Sequence, residues 1–201
     1  LASLGRYAYS HTDRSVFVHL FVNGGAEFQL GKQRVTLRQC TRYPWDGKVR
    51  LDVKPETPGT FTVAVRIPGW CRSARMSVNG RPVDPAGTSR KGYARLRRRW
   101  QPGDRIDLAL DMPVERVESH PAVRHDCGAV ALQRGPVVYC LEQKDNGRHL
   151  ADVRLLADAK LNVRTPSSGF FKDIPCITAR AERRRGGEWK NELYRPDRSR
   201  P

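Results

Sequence analysis

Short apolar segments of alternating hydropathy, separated by turn dipeptides at roughly eight-to-fifteen-residue intervals, predict an all-β fold of two consecutive antiparallel β-sandwich domains. Three features carry that prediction. Phe61, Val63, Val65 and Ile67 share one parity in TFTVAVRIPGW, so one side of that strand faces a core. Asn79-Gly80 and Asp46-Gly47 are hairpin signals. No long helical pattern intervenes between the strands.

The opening LASLGRYAYS is the exception. Leu1, Leu4 and the Tyr7/Ala8 pair recur at helical spacing, and Ser10, Thr12 and Asp13 supply a polar exit. Residues 1–10 therefore read as the end of a helix that starts upstream. SVFVHLFVN, β-branched and aromatic on both faces, suits a strand buried between two layers and ended by Gly24-Gly25. Val35 and Leu37 lie on one alternating strand and Val49, Leu51 and Val53 on another, with YPWDGK between them. There Gly47 is expected to accept a positive φ as the chain reverses. The strand through Phe61 and Ile67 stops at Pro68-Gly69. MSVNGRPV turns at Asn79-Gly80, KGYARLRRRW is a further strand, and QPGDRIDLALDMPV sets Ile106, Leu108 and Leu110 on one face after a Pro-Gly turn. These elements make a middle domain over 11–114. A C-terminal domain over 115–201 follows Met112-Pro113. Its clearest strands are GAVALQRG and PVVYCLE, broken at Gly135-Pro136, whereas DVRLL, AKLNV and ITARAER are shorter and more polar. TPSSGFFKDIP is a loop, and NELYRPDRSRP shows no core-forming pattern.

Thirty-seven Lys and Arg against 21 Asp and Glu leave a formal charge of +16, the balance of a protein that meets a polyanion. The basic residues are nevertheless spread along the chain, with two tight runs, Arg97-Arg98-Arg99 and Arg183-Arg184-Arg185. No helix-turn-helix, zinc-finger or RNP pattern accompanies them, which argues against nucleic acid and for a solvated basic surface or one facing an acidic neighbouring domain. Apolar runs such as Val16 to Val22 are too short to span a bilayer. Cys40, Cys71, Cys127, Cys140 and Cys176 are widely spaced and contain no CxxC pair, so the expectation is five buried free thiols, with a lean toward a reducing, cytoplasmic compartment.

Candidate chemistry is sparse. Trp45 beside Asp46 resembles a sugar platform with a carboxylate, yet a glycosidase needs two carboxyl groups across a pocket, and no partner for Asp46 stands out. The plainer reading is a turn cap and an edge cover. Glu115, Glu118, Asp126 and Glu142 fall near turns or strand ends and read as solvated. His120, His125 and Cys127 hint at a metal cluster, but their spacing does not gather them on one face and no fourth ligand is evident. There is no GxSxG nucleophile turn and no glycine-rich phosphate loop. The residues alone describe an accessory all-β tandem without a catalytic, cofactor or metal site.

Taken in order, LASLGRYAYS, YPWDGKVRLDV, FTVAVRIPGWC, VNGRPV, GYARLRRRWQPGDRIDLALDMPVERVESHPAV and GAVALQRGPVVYCLEQKDN resemble the C-terminal half of glycoside hydrolase family 127 proteins, which are β-L-arabinofuranosidase-like enzymes. The resemblance runs to about residue 147 and returns in WKNELYRP. It implies an (α/α)6 barrel upstream, whose last helix would carry the LASLGRY-like segment just after a Cys-Cys-Pro-Pro-Asn type motif. It also implies a cysteine nucleophile held on zinc by other cysteines and a glutamate, with a separate glutamate as acid/base; zinc favours the reactive thiolate. None of those positions has a counterpart in this sequence, so no catalytic residue carries over, and Cys71 and Cys140 are expected on sandwich strands. Family members finish with a further aromatic strand after the LYRP-like segment, so the second sandwich is expected to lack one.

Three functions follow as expectations. The first is a non-catalytic sandwich portion of an enzyme acting on β-L-arabinofuranosides or related sugars, bracing the absent catalytic barrel, with zinc confined to that barrel and carbohydrate met only through the whole enzyme. The second is a carbohydrate-binding or interaction module using exposed aromatics such as Trp45, Trp70 or Trp100. The third is a basic polyanion-binding protein, which one continuous arginine stripe would favour.

Overall fold

The computed structural model describes residues 3–183; Leu1, Ala2, Arg184-Arg185 and the WKNELYRP stretch lie outside them. The chain divides into two compact units, one of Leu1–Glu115 with Gln133–Val137, the other of Arg116–Leu132 with Val138 onward. No described helix is long and apolar enough to cross a membrane.

The first unit is built from β1 (Tyr9–Thr12), β2 (Ser15–Val18), β3 (Gly24–Leu30), β4 (Gln33–Thr41), β5 (Lys48–Pro55), β6 (Gly59–Arg66), β7 (Ala74–Val78), β8 (Arg81–Val83), β9 (Ser89–Arg90), β10 (Tyr93–Trp100) and β11 (Asp104–Leu110). They form a five-stranded sheet in the order β1-β2-β6-β10-β9 and a six-stranded sheet in the order β3-β4-β5-β11-β7-β8. The longer strands send alternate side chains to one shared core, as the pleat requires. Val16, Val18, Phe61, Val63, Val65, Leu96 and Trp100 come from the first sheet, and Val35, Leu37, Val49, Leu51, Val53, Ile106 and Leu108 from the second. All pairings are antiparallel except β2 with β6, where Val16 lies beside Val63 and Val18 beside Val65. Asn79 and Gly80 both take positive φ, 52° and 78°, and close the two-residue hairpin between β7 and β8 as the dipeptide predicts.

Several local expectations are revised. The opening forms a 3-10 turn over Leu4–Tyr7, and Tyr9 already pairs with Val18 on β1, so the helical span is shorter than its spacing suggests. The cause is specific: the Ala8 carbonyl accepts from the N–H groups of His19 and Leu20, and the Tyr9 hydroxyl meets the Gln39 amide at 2.7 Å inside the sandwich. Gln39 is a buried polar residue on the core side of β4; its amide also donates to the Leu20 carbonyl, which fixes the return from β2. SVFVHLFVN is strand only through Val18, and its Phe17 face is half-buried rather than sandwiched between layers.

Gly47 is not in the left-handed region. It is required for space, because a Cβ there would lie 2.0 Å from the Leu110 carbonyl oxygen. The cysteines are not buried: Cys40, Cys127 and Cys140 are exposed, and Cys71 and Cys176 partly so. Cys40 follows from the β4 alternation, which sends Val35, Leu37, Gln39 and Thr41 inward and Cys40 outward. Cys71 sits in the loop after β6, and Cys140 just past the last strand residue, Tyr139.

Beyond β11, the strands β12 (Val114–Glu118), β13 (Val130–Arg134) and β14 (Val137–Tyr139) form a three-stranded sheet. Gly135, with φ 58°, makes the tight reversal between β13 and β14. In the second unit a single helical turn, α1 (Gln143–Asn146), precedes β15 (Val153–Arg154), β16 (Asn162–Arg164), β17 (Cys176–Thr178) and β18 (Glu182–Arg183). β15 pairs with β18 and β16 with β17, both antiparallel. Among its described residues Val123, Leu141, Val163 and Phe170 are exposed, so this unit is closed by pairing and turns more than by a deep core.

Candidate functional site

The carboxylates singled out from the sequence do not converge on an acid/base pair. The Asp46 carboxylate accepts from the Lys48 N–H at 2.9 Å, and the Trp45 N–H donates to the Arg42 carbonyl at 2.8 Å, so the WD dipeptide is a capped turn. The Trp45 carbonyl in turn accepts from the Arg134 guanidinium at 2.9 Å. Glu115 pairs with Arg72 at 2.8 Å, while Glu118, Asp126 and Glu142 are solvent-exposed.

An open groove of about 850 Å³ runs over the outer face of the six-stranded sheet, lined in part by Cys40, Asp46, Lys48, Arg50, Arg75 and Asp107. Its second carboxylate, Asp107, is held by Arg50 at 3.2 Å and Arg105 at 2.9 Å. Both acids are therefore engaged in structural bonds, and the groove offers no arrangement for glycoside cleavage.

The aromatic candidates separate by burial. Trp100 is fully buried, its indole N–H donating to the Phe61 carbonyl at 3.0 Å, and is removed from any exposed platform. Trp70 is half-buried and stacks on Tyr43 at 6.5 Å, which meets buried Phe21 edge-on at 5.4 Å. Burial pushes the neighbouring Cys71 thiol up, away from the nucleophilic thiolate, and its Sγ lies 3.1 Å from the Ser73 carbonyl.

Residues that could hold zinc are not assembled. Among the described residues no three His, Cys, Asp or Glu side chains form a metal-holding group, and the His120 Nδ1 accepts from the Ala122 N–H in its own turn at 3.1 Å. The described residues do not gather the cysteines and glutamate of the zinc site that the resemblance implies.

The most organised polar cluster lies on the outer face of the five-stranded sheet, and sequence reasoning missed it because it joins His19, just past β2, to Tyr93 of β10, 74 residues away. His19 Nε2 is 2.7 Å from the Ser10 hydroxyl, and its Nδ1 is 2.7 Å from the Tyr93 hydroxyl. In a neutral ring one nitrogen donates and the other accepts, so one hydroxyl takes each role. Phe17 stacks on the same imidazole at 6.3 Å and meets Tyr93 edge-on at 5.8 Å. The Arg95 guanidinium covers Phe17 at 5.4 Å. Burial, then the Arg66 charge, pushes the His19 pKa below 6.5. The unfolded chain therefore takes up a proton near pH 6.5 before the folded one does, and stability falls as pH drops through that value until the folded histidine also titrates. Thermal melts between pH 7.5 and 5 should show a shallower acid-side decline in His19→Gln than in the native chain; parallel curves would remove His19 from the account.

Comparison with known proteins assigns this architecture. The description "Beta-L-arabinofuranosidase, GH127 middle domain" matches residues 15–112, and "Glycoside hydrolase family 127 C-terminal domain" matches residues 114–188. A curated relative, the non-reducing end β-L-arabinofuranosidase of Bifidobacterium longum subsp. longum, is 39% identical over 90% of this chain and 29% of its own length. The crystal structure of a GH127 β-L-arabinofuranosidase from Geobacillus stearothermophilus T6 superposes with a TM-score of 0.91 at 48% identity, over 97% of this chain and 31% of that one. A further structure, described as a GH127 β-arabinofuranosidase, gives 0.82 at 32% identity over 90% and 31%. The chain thus spans under a third of the length of these relatives, and with both of its halves matched it belongs to glycoside hydrolase family 127, carrying the family's middle and C-terminal domains.

Proposed function

We propose that this chain is the non-catalytic β-sandwich portion of a β-L-arabinofuranosidase-type enzyme, and that it braces a catalytic portion which binds the sugar. The observation that carries the reading is the extent of the match: two domains named middle and C-terminal account for most of the chain, over less than a third of the relatives' length. The engaged state of Asp46 and Asp107 and the raised Cys71 thiol agree with it, because neither a carboxylate pair nor a free thiolate is set out for attack. Zinc, on this reading, belongs to the catalytic portion.

The isolated chain should not hydrolyse an aryl β-L-arabinofuranoside, and elemental analysis after dialysis should find well under one zinc per chain. Turnover that a cysteine substitution in this chain abolishes, or one tightly held zinc, would overturn the reading.

Polyanion binding is a second reading that one observation favours, since Arg95, Arg97 and Arg99 share one face of β10. Duplex DNA should then bind at physiological salt; a solvated or otherwise occupied basic face loses nearly all such affinity there.

A further inference from the structure

The outer faces of the two sheets of the first unit are both basic and differ in whether acids accompany the cations. The six-stranded sheet is basic but intersperses acids, with Glu27, Asp52 and Asp107 outward among Arg34, Arg38, Lys48, Arg50, Lys54, Arg75 and Arg105, and Asp107 paired twice. That is a solvated surface. The five strands of the other sheet contain no Asp or Glu at all, yet hold Arg66, Arg90, Arg95, Arg97, Arg98 and Arg99. Arg98 is engaged by Asp104 at 3.8 Å. Among the described residues Arg66, Arg95, Arg97 and Arg99 have no ion-pair partner.

The centre of this face is already half closed. In register, Phe17, Ala64 and Arg95 form one cross-strand row, and Arg66 and Tyr93 are paired in an adjacent one. Ala64 points away from the core and is still fully buried beneath this row, while the Arg95 Nε is buried without a hydrogen-bond partner. A buried unpaired donor is costly, so its acceptor is to be sought outside the described residues. Every Lys or Arg of these five strands is arginine, none lysine; Arg95 lies over Phe17, Arg66 pairs with Tyr93, and Arg97 and Arg99 continue the same face of β10. Arginine with tyrosine, and without lysine, is the composition of a protein interface centre.

We propose that this face, centred on Arg95 and Tyr93 with Arg66, Arg97 and Arg99 around them, docks a carboxylate-bearing surface of the catalytic portion of a family 127 enzyme. The proposal rests on the function proposed above and names the surface through which the bracing acts. The occupant follows from the two thirds of the relatives' length that this chain does not span, and the carboxylates it must present follow from the arginines left without an acid on this face.

The test uses a hybrid in which this chain replaces the matching segment of the Geobacillus relative. Treated with an arginine-specific glyoxal, Arg66, Arg97 and Arg99 should react at least about tenfold more slowly in the hybrid than in the isolated chain, while Arg34 and Arg38 on the opposite sheet react alike in both. Arg97→Glu/Arg99→Glu should lower the melting temperature of the hybrid and leave that of the isolated chain unchanged, with Arg97→Lys/Arg99→Lys in between. An active hybrid whose arginines react as fast as in the isolated chain overturns the docking face and leaves the proposed function standing. A hybrid that is inactive and unfolded with its native arginines overturns both. Equal loss in hybrid and isolated chain assigns the arginines to the sandwich itself, and DNA binding at physiological salt that Arg97→Glu/Arg99→Glu abolishes makes the face a polyanion site; either result contradicts the proposal.

Discussion

Replacing Gly47 by alanine should destabilise the first unit by about 4 kcal/mol, at the far end of what single substitutions do. The new Cβ would sit 2.0 Å from the Leu110 carbonyl oxygen and 2.9 Å from its carbon, and neither is the end of a flexible side chain. The Gly47 carbonyl also accepts from the Leu110 N–H at 2.9 Å, so separating the two backbones breaks that bond next to the Lys48–Ala109 pairing of β5 with β11. Gly80→Ala is the contrast. Space is open there, and only the positive φ of 78° is unfavourable, so it should cost about 1–2 kcal/mol. Urea titrations of both variants, followed by far-UV circular dichroism, separate the two causes; equal midpoints would mean that the Gly47 contact is relieved at little cost.

Trp100→Ala should cost about 3–5 kcal/mol, the range for deleting a buried aromatic side chain. The ring is fully buried, lies 6.0 Å from Phe61 and is covered by the Arg98 guanidinium at 5.2 Å. Truncation removes that packing and the indole donor to the Phe61 carbonyl together. Trp100→Phe keeps most of the volume and should lose about 1–2 kcal/mol for the unmade hydrogen bond. A Trp100→Ala midpoint within experimental error of the native one would show that this end of the core collapses around the deletion.

The contrast between Gly47 and Trp100 marks what the sequence could convey. Alternation placed Phe61, Val63, Val65, Leu51 and Ile106 in a core because one face of each strand reads as apolar by itself. The binding-module reading counted Trp100 among exposed aromatics, whereas the β10 alternation of Ala94 and Leu96 sets it inward; Arg98 shares that parity, but its guanidinium escapes to Asp104 at the strand end. Gly47 was identified as a turn glycine for the wrong physical reason, since the approach of β11 is a non-local fact. The same limit hid Gln39, which a polar residue at an inward position of β4 could have flagged, and the Ser10–His19–Tyr93 cluster, which requires β2 to run parallel to β6. Exposed Cys40 was legible from β4 parity alone, against the general tendency of free cysteine to be buried. The Asp46 turn cap was legible because its bond to the Lys48 N–H is local, whereas the Arg50–Asp107 pair became visible only once β5 and β11 were side by side.

The central claim is that this chain supports catalysis without performing it, and one pair of rates tests it most directly: hydrolysis of an aryl β-L-arabinofuranoside by the isolated chain and by the hybrid with the Geobacillus relative. The account predicts no turnover above background from the isolated chain and turnover within about tenfold of the parent enzyme from the hybrid, as expected when the reacting groups are untouched. Turnover by the isolated chain, or an inert hybrid, would contradict it.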